Sequence, residues 1–80
     1  MSDELREEHA RRLLSDKLFV EAFDTLEKNL LDTWTHSSVH DVDSREQCRL
    51  SLRLLERIRL HLTSIVETGE MAKKIQEYHL

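Results

Sequence analysis

Two histidines and two aspartates fall within eight residues, at His36, His40, Asp41 and Asp43 of the stretch WTHSSVHDVDSRE. Imidazole nitrogens and carboxylate oxygens are the donors that zinc and similar ions take. His36 and His40 are four apart, so a continued helix would turn both rings to one side. The intervening Ser37-Ser38 argues that the helix is ending instead. No Cys or Glu cluster supports an ion, and the H-E-x-x-H pattern of zinc hydrolases is absent. A turn accounts for more of the residues. Ser and Asp supply acceptors for free backbone N–H groups, Val39 or Val42 can tuck under the loop, and Asp43-Ser44 can cap the next helix. No metal site is expected. The histidines can lend the turn some pH sensitivity, since free imidazole titrates near pH ~6.5.

Arg45, Arg49, Arg53 and Arg57 form a ladder spaced by four, with Arg59 nearby. Guanidiniums along one helix face present planar, bidentate donors that suit phosphates or an acidic partner. Glu46 and Glu56 interrupt the surroundings, which favours a solvated face with internal ion pairs. None of Phe19, Phe23, Trp34 and Tyr78 interleaves with the ladder to stack bases, so an acidic protein fits better than nucleic acid. Nucleophilic catalysis finds no support. Cys48 lies on an apolar stripe, where a small buried thiol is the common outcome, and neither His9 nor His61 bears a clear relation to it. A single glycine excludes a Gly-rich phosphate loop. Trp34 reads as a core or interface anchor. No catalytic residue, cofactor or enzymatic activity is expected.

The elements that would carry these residues are helical. Eighty residues make one small domain, and the one Gly, the lack of Pro and the 35% charged content favour long helices over a sheet. Ser2 or Asp3 can cap a helical segment over about 3–15, after which Ser15-Asp16 suggests a kink or short break and a second cap. Over 17–35, Phe19, Ala22, Phe23, Leu26, Leu30 and Trp34 recur every three or four residues along one side, widened by Leu18 and Leu31. Residues 36–43 form the turn. A second long helix over 44–68 starts with Asp43 and Glu46, or Ser44 and Gln47, at capping-box spacing. Gly69 would close it in a left-handed conformation, leaving 70–80 as a short helix or a frayed tail.

The second long helix has more apolar surface than one partner needs. Cys48, Leu52, Leu55, Ile58, Leu62 and Val66 form its central stripe, while Leu50, Leu54 and Leu60 spread the surface further round. An apolar girdle of that width marks contact with several neighbours. The single cysteine excludes an internal disulfide and fits a reducing compartment, so self-association is the leading source of additional core. Charge is divided between the helices. Residues 1–35 hold nine acids and five bases, whereas residues 44–69 hold five arginines and three acids, within a net charge of −4. No apolar run is long enough to span a bilayer, and the charged N-terminus does not fit a secretory signal, so no membrane association is expected.

The segments ARRLLSDKLFVEAFDTLEKNLLDTW and REQCRLSLRLLERIRLHLTSIVETGEMA, joined by a short polar stretch, resemble short, mostly uncharacterised helical proteins of tailed phages and prophages. The likeness covers residues 10–72 and rests on Leu13-Leu14, Ala22-Phe23, Trp34, Arg45-Glu46, Leu55 and Gly69. It implies phage origin, residence in the bacterial host cytoplasm or in the virion, and a phage or host protein as partner. The resulting expectation is an all-α, antiparallel helical hairpin with a short N-terminal segment, completed into a bundle by self-association. Phe19, Phe23, Trp34, Leu55 and Leu62 would form its core. Leu50, Leu54 and Leu60 are the interface candidates of a non-enzymatic, homo-oligomeric interaction module acting in phage accessory or assembly work. The alternative is a small nucleic-acid or nucleotide binder of anti-defence type, using Arg45, Arg49, Arg53 and Arg57.

Overall fold

A computed structural model describes residues 2–78, in which three helices and no strand occur: α1 (Asp3–Ser15), α2 (Lys17–His36) and α3 (Val42–Tyr78). The chain is all-α. Local hydrogen bonds set each boundary. Ser2 Oγ accepts from the Leu5 N–H at 3.2 Å, with Asp3 and Glu4 in the first turn, where the helix dipole favours acids. Asp16 is extended (φ −68°, ψ 124°) and serves two helices. Its N–H closes α1 on the Leu13 carbonyl, and its Oδ1 caps α2 by accepting from the Phe19 N–H at 2.9 Å. The first arm therefore breaks at a single residue. At the end of α2, Ser37 turns extended and its hydroxyl donates to the Trp34 carbonyl at 2.7 Å.

Two boundaries differ from the sequence expectation. The cap of α3 is Asp41, whose Oδ1 accepts from the Ser44 N–H at 3.2 Å, so the helix starts at Val42 instead of at Asp43-Ser44. The turn selects this frame, because the Asp41 N–H bonds the Ser38 carbonyl and leaves the side chain facing the first helical turn. Val39 and Val42 are both exposed instead of tucked under the loop. The larger correction concerns Gly69, which does not end a helix. No glycine has positive φ, and α3 runs through it to Tyr78, so residues 70–78 are neither a separate helix nor a frayed tail; residues 79–80 lie outside the described part. Gly69 is buried where α1 passes over α3. A Cβ there would stand 2.9 Å from Glu7 Cγ, 3.0 Å from the Asp3 carbonyl oxygen, and closer still to Glu7 Cβ. The glycine serves close helix approach, not capping.

Helix α3 is about 55 Å long at 1.5 Å per residue, enough to run back past α2 and then α1. Trp34 meets Arg45 near the turn, Phe23 meets Arg59 midway, and Glu7 meets Lys73 at the far end. The result is a rod of 62 × 23 × 17 Å. Its core is thin. Ala10 and Cys48 are the only buried apolar residues among those described. The expected core residues Phe19, Phe23, Trp34, Leu55 and Leu62 do lie along the seam but are only half-buried, because two helical layers cover just one side of each. Phe19 and Phe23 stack with ring centroids 4.6 Å apart.

Candidate interaction surface

The seam between α2 and α3 has two unlike edges. One edge is charged. Arg59 spans the helices, donating from Nη1 to Glu27 Oε1 at 2.7 Å and from Nη2 to Asp24 Oδ1 at 3.0 Å, with its guanidinium 5.1 Å from the centre of the Phe23 ring. Arg45 likewise lies 4.5 Å from the Trp34 ring centre, a cation–π contact that shields this half-buried indole. The opposite edge opens as a groove of about 330 Å³ lined by Leu26, Asn29, Leu30, Thr33, Ser51, Leu54 and Leu55, none of them ionisable.

The arginine ladder divides along α3. Arg45 is occupied by Trp34. Arg49 holds Glu46 through two bonds, Nε to Oε2 at 3.0 Å and Nη2 to Oε1 at 2.6 Å. That hydrogen bonding holds the Glu46 carboxyl below its ordinary range. Arg53 and Arg57 are exposed and form no ion pair among the described residues. The four therefore do not present equivalent free cations. Leu50, Leu54 and Leu60 are 53%, 56% and 58% exposed. Leu54 belongs to the groove and Leu50 adjoins it one turn earlier, whereas Leu60 lines a neighbouring opening with Leu54, Arg57, Ile58 and His61.

A second polar constellation, joining residues far apart in the chain, ties α1 to the end of α3. Glu7 is 3% exposed, and its Oε2 accepts from Lys73 Nζ at 2.8 Å and from Arg11 Nε at 3.4 Å, while Arg11 also bonds Glu70. The Lys73 hydrogen bond holds the Glu7 carboxyl below its usual range against the opposing effect of burial, and Lys73 is raised in return. Sequence reasoning missed this cluster. Glu7 and Arg11 carry the helical i,i+4 signal, but nothing local connects them to Lys73, 66 residues away.

In the last turn of α2, His36 Nδ1 lies 2.8 Å from the Asp32 carbonyl oxygen, and in the turn that follows the His40 N–H donates to Ser38 Oγ at 3.2 Å. His36, His40, Asp41 and Asp43 are all exposed, and no three His, Cys, Asp or Glu side chains gather around a common point among the described residues. Cys48 is buried in the seam. Among the described residues no helix is long and apolar enough to cross a membrane. No family model, curated protein or solved structure matches the chain.

Proposed function

We propose that this chain is a non-enzymatic helical interaction module that self-associates through its surplus apolar surface, acting as a phage accessory or assembly protein in the bacterial host cytoplasm or in the virion. One observation supports the self-association: the chain leaves much more surface exposed than a compact chain of its mass would. Its accessible surface is 6539 Å² for 9.5 kDa, against about 5,000 Å² for a compact monomer of that mass, a surplus of roughly 1,500 Å². The radius of gyration is 17.7 Å where a compact chain of this length would have about 12 Å. Fifteen large apolar side chains are exposed among the described residues, Leu50, Leu54 and Leu60 included. A helical hairpin of this shape gains core most directly by lying against another like it. The phage assignment rests on the residue resemblance alone.

Light scattering at micromolar concentration tests self-association: a multiple of the 9.5 kDa chain mass supports it, and the single-chain mass refutes it. The exposed and unpaired state of Arg53 and Arg57 favours a second reading, an acidic or phosphate-bearing ligand on that face. Oligonucleotide binding that falls steeply with salt and disappears in the Arg53→Glu, Arg57→Glu double variant would establish it.

A further inference from the structure

The two edges of the α2–α3 seam differ in a way that points to one occupant. On the charged edge, Arg59, Asp24 and Glu27 satisfy one another across the helices, so that edge is already closed by its own side chains. On the other edge, α2 contributes the row Leu18, Ala22, Leu26, Asn29 and Thr33, and α3 contributes Gln47, Ser51, Leu54 and Ile58. Both rows follow four- and three-residue spacings, and neither contains an ionisable side chain. Charge returns to this side where α1 replaces α2, with Asp3 and Arg6 beside His61 and Ser64. The uncharged strip is therefore bounded to the half of the rod nearest the turn.

We infer that this uncharged edge of the α2–α3 seam receives a second copy of the chain, two seams meeting about a twofold axis to make a four-helix body with Leu26, Leu54 and Ile58 inside. The inference rests on the self-association proposed above and names its face and partner. Three observations select a second copy. The surplus of roughly 1,500 Å² per chain exceeds the ~800 Å² per partner that a standard interface takes, so the chain has enough surface to spare for one. Small residues at Ala22 and Ser51 let a facing helix come close. The rims of the groove also differ in net charge: beyond the α3 row stand the exposed Arg53 and Arg57 with Glu46, which Arg49 already holds, and beyond the α2 row stand the exposed acids Glu21 and Asp32 with Lys28, so the first rim is net positive and the second net negative. An isologous pairing with α3 of each copy across α2 of the other sets arginines against acids, whereas α3 against α3 would set arginines against arginines.

Sedimentation velocity at micromolar concentration, with circular dichroism as a control for folding, tests the face. Asn29 is polar and exposed, so Asn29→Arg leaves the folded chain intact while placing a charge in the groove; Leu54→Glu does the same from α3, and Leu31→Glu places one on the exposed, charged edge of α2 outside it. The wild type is expected to sediment at twice the 9.5 kDa chain mass. Asn29→Arg and Leu54→Glu should each weaken association by about a hundredfold or more, since a charge buried without a partner is costly, with helical signal retained. Leu31→Glu should remain a dimer. Dissociation by Leu31→Glu with both groove variants still dimeric would overturn the groove while leaving self-association standing. A wild type that stays at the single-chain mass would overturn both.

Discussion

Replacing Gly69 with alanine sets two effects of opposite sign against each other. Glycine inside a helix is worth about 1 kcal/mol less than alanine, so on an open face of α3 the change would stabilise the protein. At position 69 the new methyl would sit 2.9 Å from Glu7 Cγ and 3.0 Å from the Asp3 carbonyl oxygen, where ordinary contact begins at 3.4 Å, and Glu7 Cβ is nearer still. The Cβ and the carbonyl oxygen belong to the α1 chain itself and cannot swing aside. Helix α1 must withdraw by more than half an ångström, loosening Ala10 and the Glu7–Lys73 bond with it. Overpacking of this kind costs about 1–3 kcal/mol, and at so short an approach the upper half of that range applies. The net expectation is a loss of about 1–2 kcal/mol after the helix-propensity gain is subtracted. Urea denaturation followed by circular dichroism, at one fixed protein concentration, reads it directly. Thr68→Ala, on an exposed position one residue away, is the control. In a Glu7→Gly background the penalty of Gly69→Ala should shrink, because the closest clashing atom is gone. A Gly69→Ala protein more stable than wild type would refute the close approach of α1 to α3.

Other expectations follow from single contacts. Glu7 has a depressed carboxyl pKa, so its contribution to stability is fully present above the ordinary value of 4.5 and is lost as pH falls through the lower folded value; Glu7→Gln should flatten that acid limb in melting curves. Lys73 is raised above its ordinary 10.5, so its share is present below that pH and fades as pH rises beyond it, a decline that Lys73→Met should abolish in alkaline melts. Asp16→Ala removes the cap on the Phe19 N–H and should cost about 1 kcal/mol in denaturant titration. Arg59→Lys cannot reach Asp24 and Glu27 with one fork and should lose up to ~1 kcal/mol, the pair being partly exposed.

Features decided within one or two helical turns were legible in the sequence. Helical class followed from the scarcity of Gly and Pro, and the Ser15-Asp16 pair marked the place where α1 gives way to α2, because Asp16 acts on N–H groups within three residues of itself. Competing local signals were harder. Asp41 and Asp43 are both plausible caps, and the Ser38–Asp41 bond that chooses between them is a property of the turn's path. Gly69 has two helical uses, closing an end or admitting a neighbour, and only the position of α1 separates them. The Glu7–Lys73 bond and the unlike edges of the seam depend on which helix lies where. Leu26 and Leu54 were visible as apolar positions, but Asn29, Thr33 and Ser51 become meaningful only once α2 and α3 set them around one groove.

A rod with so little buried apolar surface is proposed to be one part of a larger helical body. Its mass in solution tests this most directly. Light scattering of the wild-type chain at micromolar concentration should return twice the 9.5 kDa chain mass, falling toward a single chain on strong dilution. A steady single-chain mass across that range, with full helical signal, would rule out self-association.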